Sequence, residues 1–122
     1  MWPFSRRRKP PRKLTQPPVD FVGEQDGPPE RELKGALCLA LKSRPEVARA
    51  YLCRVRYDRA GTDAVALALS APEDPSLADQ VGEVFWQMFG RGVSLDIMFV
   101  DSDVEMRLAK VCSPFYSAEY SA

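Results

Sequence analysis

The stretch ARAYLCRVRYDRAGTDAVALALSA (48–71) decides the fold of this chain, because it holds two runs of alternating side chains. In the first run, Tyr51, Cys53 and Val55 share one face of an extended strand, since successive strand side chains point to opposite faces. The segment between the runs, DRAGTD (58–63), has the composition of a turn. The stretch therefore predicts an antiparallel β-hairpin.

A helix is predicted before this hairpin, over residues 29–43. Leu33, Leu37 and Leu41 recur at the spacing of an amphipathic helix, so they share one apolar face. Pro45 ends the helix, because proline cannot donate a backbone hydrogen bond. We expect the apolar face to lie against the sheet.

A second helix is predicted after the hairpin, beginning near Asp74. Asp74 is a suitable N-cap, and Pro75 suits the first helical position. Gly90 is expected to end the helix. The apolar stripe of this helix comprises Leu77, Val81, Val84, Phe85 and Met88.

The last third of the chain predicts a further strand, over residues 93–100, and a short closing helix. Asp101 or Ser102 can cap this helix. The inward side chains are expected to be Val93, Leu95, Ile97 and Phe99 of the strand and Val104, Leu108 and Val111 of the helix.

The predicted element order is α-β-β-α-β-α, which indicates an α+β fold with a small mixed sheet packed against helices. We expect a single domain over residues 27–118 and a flexible tail at 119–122. Residues 1–26 are rich in proline and basic side chains and predict a disordered leader. Within the leader, a small apolar group is a candidate for an irregular strand docked on the domain: Val19, Phe21 and Val22.

Positive charge is concentrated in residues 1–13, MWPFSRRRKPPRK. The chain has 17 basic and 17 acidic residues, and six of the basic residues lie in this segment, so the remainder carries a net charge of about −6. Three interpretations stay open: a solvated segment with no binding role, attachment to an anionic membrane surface, or contact with nucleic acid or an acidic protein. The candidate anion-binding residues are Trp2, Phe4, Arg6, Arg7, Arg8, Lys9, Arg12 and Lys13.

The chain contains no histidine, which removes the commonest general base and metal ligand near neutral pH. Its three cysteines, Cys38, Cys53 and Cys112, form no C-x-x-C pair, which favours unpaired thiols in a reducing compartment. We therefore assign no catalytic, cofactor-binding or metal-binding residue. No apolar run is long enough for a transmembrane helix.

Four aromatic residues are candidates for contact with a protein partner, although packing in the core is the default interpretation for all of them. They are Trp86, Phe89, Phe115 and Tyr116.

Four acidic residues surround the end of the third predicted strand. They lack the glycine and the twelve-residue spacing of a calcium loop, so helix capping by Asp101 and Asp103 is expected instead. The group consists of Asp96, Asp101, Asp103 and Glu105.

Residues from about 28 to 116 resemble the C-terminal domain of the bacterial enhanced-serine-sensitivity (SseB) proteins. The segments RPEVARAYL (44–52), VALALSA (65–71), VSLDIMFVD (93–101) and SPFY (113–116) carry the resemblance, and SPFY is the most specific of them. The resemblance implies a bacterial cytoplasmic protein reduced to a single domain, in which the leader stands where relatives carry another domain. It implies no catalytic residue, because the family is named after a serine-sensitivity phenotype and not after a chemical reaction.

Three hypotheses about function follow. The first is a non-enzymatic interaction or regulatory module, in the cytoplasm or peripheral at the inner membrane. The second is an enzyme subunit without histidine, which would need a pocket joining Asp96 or Asp101 to Arg54 or Arg56. The third is a peripheral membrane or nucleic-acid binder that acts through residues 1–13.

Overall fold

The computed structural model describes residues 19–57, 63–90 and 95–118. Within these ranges the predicted α+β class is confirmed, because three helices accompany a mixed sheet of five strands. In chain order the elements are β1 (Val19–Glu24), α1 (Pro28–Leu41), β2 (Arg49–Tyr57), β3 (Asp63–Ser70), α2 (Pro75–Phe89), β4 (Asp96–Phe99), α3 (Ser102–Ala109) and β5 (Tyr116–Ser117).

The sheet is built around the predicted hairpin. β2 and β3 pair antiparallel, from Arg49 opposite Ser70 to Arg56 opposite Asp63. β4 lies parallel to β3, and α2 forms the crossover that a parallel pair requires. The strands lie in the order β1-β2-β3-β4, which confirms a small mixed sheet.

β1 extends the domain into the segment that the sequence assigns to the leader. It pairs antiparallel with the second half of β2, and a bulge between Phe21 and Gly23 shifts its register. The irregular docked strand is thus confirmed, and the domain boundary predicted at residue 26 is too late. The remaining parts of the predicted leader and tail, residues 1–18 and 119–122, lie outside the described residues.

β5 occupies the rest of the same edge of β2. Tyr116 lies opposite Ala50, and the N–H of Phe115 donates to the carbonyl of Ala50 at 2.9 Å. The N–H of Ala118 donates to the carbonyl of Ala48 at 2.9 Å. β1 and β5 therefore lie end to end, so β2 has a neighbouring strand on both sides.

The larger core lies between the sheet and helices α1 and α2. β3 contributes Val65, Leu67 and Leu69, as its alternation predicts. Val93, the first inward residue predicted for the third strand, lies outside the described residues. The fully buried helix residues of this core are Leu33, Leu37 and Leu41 of α1 and Leu77, Val81 and Phe85 of α2.

The opposite face of the sheet is covered by α3, so the domain has three layers. On this face β3 presents Ala64, Ala66, Ala68 and Ser70, of which Ala66 and Ala68 are fully buried. These small side chains leave room for the helix, which inserts Leu108 and is followed by the buried Cys112. The sheet is therefore buried on both sides at β3.

One prediction for the last helix, the inward position of Val111, is wrong. Leu108 is buried and Val104 is partly buried, but Val111 is 41% exposed. The reason is that α3 ends at Ala109, after which the chain turns and directs Cys112 inward instead.

The predicted caps Asp74 and Asp101 are confirmed, whereas Asp103 lies within the first turn of α3 and is not its cap. The carboxylate of Asp74 accepts the N–H of Ser76 at 3.0 Å, with Pro75 in the first position of α2. The carboxylate of Asp101 accepts the N–H of Val104 at 2.9 Å at the start of α3. Each cap satisfies a backbone donor that the first turn of a helix leaves without a partner.

Candidate functional site

The most concentrated polar chemistry of the described residues lies under α3, around Glu105. This glutamate is only 8% exposed, because α3 presses it against the α3-facing side of the sheet. Arg49 and Tyr51 reach it from β2, where they are two residues apart and share one face. Ser70 reaches it from the end of β3. We call these four residues the Glu105 cluster.

Four donors fill the two carboxylate oxygens of Glu105. Arg49 donates from Nε at 2.5 Å to Oε2 and from Nη2 at 3.1 Å to Oε1. The Tyr51 hydroxyl donates to Oε2 at 2.6 Å, and the Ser70 hydroxyl donates to Oε1 at 2.9 Å. Since an ionised carboxylate offers about four acceptor positions, the group is saturated by its own domain.

Near neutral pH, Glu105 is ionised while Tyr51 and Arg49 keep their protons. Its hydrogen bonds, first of all from Arg49, lower the pKa of Glu105 from its ordinary 4.5 to about 2 despite burial. Burial and the neighbouring Glu105 carboxylate raise the pKa of Tyr51 to about 12, and Glu105 also raises the pKa of Arg49. A general acid or base works best when its pKa lies near the operating pH, so these groups suit a structural ionic anchor better than proton transfer.

A second buried polar group lies where β1 meets α1. The side-chain amide of Gln25 donates from Nε2 to Glu30 Oε2 at 2.6 Å, and both residues are buried. Gln25 Oε1 accepts from Nε and Nη2 of Arg54, each at 3.2 Å. The backbone N–H of Gln25 also donates to the carbonyl of Leu52. These contacts attach β1 to the first turn of α1 and to β2.

The pocket required by the enzyme hypothesis does not form. Arg54 and Arg56 lie on the side of β2 that faces α1 and α2, whereas Asp96 shares the α3-facing side of β4 with Met98. Arg56 instead donates from Nε to Asp63 at 2.9 Å. The first pairing in this hypothesis, between Asp96 and either arginine, is therefore wrong.

Asp101 is separated from the same arginines along the sheet. It follows β4 at the end where Phe99 lies opposite Leu69 of β3, whereas Arg54 lies opposite Val65. The levels of Val65 and Leu69 are four residues apart along β3, which separates Arg54 from the end of β4 by roughly 13 Å. Asp101 is occupied as the cap of α3, so the second pairing is wrong as well.

The cysteines behave as packing residues. Cys53 and Cys112 are buried, and their thiols donate to the carbonyls of Ala66 and Leu52 at 3.6 and 3.5 Å. Burial raises the pKa of the Cys53 and Cys38 thiols and brings the pKa of Cys112 to about 11. All three cysteines are free, which agrees with the prediction of unpaired thiols. A thiol with a raised pKa is a poor nucleophile.

The four candidate contact aromatics lie against the core. Trp86, Phe89 and Phe115 are partly buried and pack on the core between the sheet and α1–α2. Tyr116 is buried, and its hydroxyl donates to the carbonyl of Leu41 at 3.3 Å. SPFY (113–116) therefore closes the edge of the domain, which is the default interpretation of its aromatics. The candidate residues of the basic segment, Trp2 to Lys13, lie outside the described residues.

The spacing of apolar residues in α3 contains a signal for the inward position of Glu105. Glu105, Leu108 and Cys112 recur at spacings of three and four, which places the glutamate on the buried face of α3. Its assignment to an acidic group around the strand end obscured that pattern. No comparable signal identifies Gln25 as buried.

Two kinds of feature are absent from the described part of the chain. In residues 19–57, 63–90 and 95–118, no group of three or more cysteine, aspartate or glutamate side chains is arranged to hold a metal ion. No helix within these ranges is long and apolar enough to cross a membrane.

Comparison with known proteins identifies the family. The family model of the SseB protein C-terminal domain matches residues 14–117, which is most of the chain and includes every described element from β1 to β5. The resemblance predicted from about residue 28 is confirmed and extends further upstream. No curated protein and no solved structure matches the chain. The chain therefore belongs to the SseB C-terminal domain family.

Proposed function

We propose that this chain is a binding module without catalytic chemistry of its own, which contacts a protein partner through its folded domain. The observation that carries the proposal is the saturation of Glu105 by four donors from its own domain. Gln25 and Glu30 are likewise engaged with each other and with the fold. The buried polar groups thus hold elements together, which leaves recognition to the surface.

Capture of partners tests this proposal. With the intact chain as bait under native conditions, we expect at least one protein to be retained specifically and to remain bound by the leader-deleted chain 19–122. Glu105→Gln, which keeps the size of the side chain, should retain the same protein provided that it folds. Mass spectrometry of the bound fraction provides the readout. If the intact chain retains no specific partner, the proposal fails.

We further propose that residues 1–13 attach the module to anionic membrane surfaces. Six basic residues without an acid precede a domain of opposite net charge. Each basic residue near an anionic leaflet contributes about 1 kcal/mol, although such contributions do not add fully. Trp2 and Phe4 favour a membrane over nucleic acid, because aromatic side chains prefer the membrane interface.

Cosedimentation with vesicles tests this attachment. At about 50 mM salt the intact chain should bind vesicles rich in phosphatidylglycerol and not vesicles of phosphatidylcholine, and about 500 mM salt should weaken the binding at least about tenfold. Replacing Arg6, Arg7 and Arg8 with alanine should abolish it, and W2A/F4A should weaken it. The control Lys110→Ala removes an exposed charge from the domain and should have little effect.

The same variants separate the membrane from nucleic acid. Binding of the intact chain to single-stranded RNA alone, insensitive to W2A/F4A, would contradict the membrane proposal and support the nucleic-acid alternative. Failure to bind vesicles at either salt concentration would also contradict it.

A further inference from the structure

The outer face of α1 carries a stripe of four exposed residues that the fold does not use. Glu32, Gly35, Leu39 and Lys42 recur at spacings of three, four and three, so they lie along one line of the helix. Leu33, Leu37 and Leu41 occupy the opposite, buried face. We call the four exposed residues the α1 outer stripe.

The middle of the α1 outer stripe combines a projecting side chain with an open notch. Leu39 is 70% exposed, more than any other large apolar side chain among the described residues. One turn earlier, apart from the two neighbouring residues and the backbone of α1 itself, no atom lies within 4 Å of the position that a Cβ of Gly35 would occupy. A side chain of about the size of leucine can therefore approach the backbone at Gly35.

The ends of the stripe carry opposite charges that the described residues leave without an ion pair. Lys34 and Arg31, on the same helix, are paired with acids at the end of β1. Glu32 and Lys42 are exposed and have no such partner in the described part of the chain. Each can accept an opposite charge from outside.

The order of these residues is self-complementary. The midpoint of Gly35 and Leu39 is residue 37, and the midpoint of Glu32 and Lys42 is the same residue. When two copies of α1 pack antiparallel about a twofold axis at this level, residues at equal distances from the midpoint face each other. Leu39 of each copy then lies over Gly35 of the other, and Glu32 of each copy lies opposite Lys42 of the other.

We propose that a second copy of this chain docks on the α1 outer stripe as an antiparallel, twofold-symmetric pair of α1 helices. The contact contains two apolar insertions and two ion pairs. One helix pair buries less than the roughly 1,200 Å² of a stable interface, so the dimer is weak and forms with a dissociation constant on the order of 0.1 mM. Self-association therefore depends on the local concentration of the chain.

Sedimentation velocity between about 10 µM and 1 mM tests the pairing. The wild-type chain should shift from monomer toward dimer over this range, and Leu39→Asp should weaken association at least about tenfold, because it places two like charges in the contact. The matched control Met106→Asp changes a side chain on α3 that is 67% exposed and should leave association unchanged. Far-UV circular dichroism verifies that every variant is folded.

Charge reversal tests the predicted orientation. E32K and K42E should each weaken association about threefold or more, because each creates two like-charge contacts across the twofold axis. The double variant E32K/K42E should restore it, since each pair forms again with its signs exchanged. A chain that stays monomeric at 1 mM overturns the proposal, as does association unaffected by Leu39→Asp. Failure of the double variant to restore association overturns the antiparallel arrangement and with it the proposal.

Discussion

Replacing Glu105 with alanine is expected to lower the free energy of unfolding by about 3 kcal/mol. The substitution removes the carboxylate that accepts from Arg49, Tyr51 and Ser70, so three residues with four donor groups lose their acceptor at once. Leaving a charged group and two hydroxyls under α3 without an acceptor costs more than losing the ion pair alone. Urea denaturation of the intact chain, followed by circular dichroism, provides the measurement.

Asp103→Asn is the matched control for Glu105→Ala. Asp103 lies in the first turn of the same helix but is exposed, so its neutralisation should change the free energy of unfolding by a few tenths of a kcal/mol. An equally small effect of Glu105→Ala would contradict the assignment of the Glu105 cluster as the anchor of α3.

The pH dependence of stability gives a second readout of the same cluster. The folded state lowers the pKa of Glu105 to about 2, below its ordinary 4.5, so the unfolded chain takes up the proton first as the pH falls. The contribution of Glu105 is therefore complete above about pH 5 and is lost between about pH 5 and 2. The wild type and Glu105→Gln differ in their free energy of unfolding, and this difference should decrease by about 2 kcal/mol between about pH 5 and 2. The figure allows for partial solvent screening of the carboxylate.

Replacing Phe85 with alanine is expected to lower the free energy of unfolding by about 4 kcal/mol, the largest effect of a single substitution that we predict. Phe85 is fully buried between α2 and the sheet, and its ring packs 5.2 Å from that of Phe89. Its removal loses the transfer free energy of the ring and leaves a cavity that a three-layer domain cannot fully close. For a domain of this size, such a loss lowers the Tm by more than about 10 °C.

Met106→Ala is the control for Phe85→Ala. Met106 also lies on a helix but is 67% exposed, so its truncation should change stability by less than about 0.5 kcal/mol. Differential scanning fluorimetry of both variants beside the wild type measures the contrast. Similar melting temperatures for Phe85→Ala and Met106→Ala would show that α2 does not pack as described.

The helices and the central hairpin could be predicted from local patterns, because the spacing of apolar residues in each element identifies the face that packs against the core. The alternation of Val65, Leu67 and Leu69 identifies the side of β3 that faces α1 and α2. The combination of Asp74 and Pro75 identifies the start of α2, since the cap and the first position need no distant partner. These elements depend on neighbours within a few residues.

β1 and β5 were harder to predict, because they are short and irregular and owe their conformation to β2. β1 contains a bulge and a glycine, and β5 has only two residues. Neither presents a long alternation, and both are held by hydrogen bonds to the edge of β2. Propensity is a weak guide where tertiary pairing decides the strand.

The composition of the candidate site was visible in the sequence, but its partners were not. The sequence places Glu105 among four acids near the end of β4, but their grouping does not indicate that Glu105 is buried. Its donors Arg49 and Ser70 lie 56 and 35 residues away. The pocket that the enzyme hypothesis would need does not form at Arg54 and Asp96, because the two strands present these side chains to opposite faces of the sheet.

The sequence by itself determined the family, the hairpin, the helical stripes and the concentration of positive charge in residues 1–13. Each of these is recorded in composition or in spacings of two to four residues. Only the tertiary structure decided which acid is buried, which residues donate to it and which helix face remains open. The physical reason is that periodicity specifies the direction of a side chain from its own element, whereas a distant partner is determined by how the layers pack.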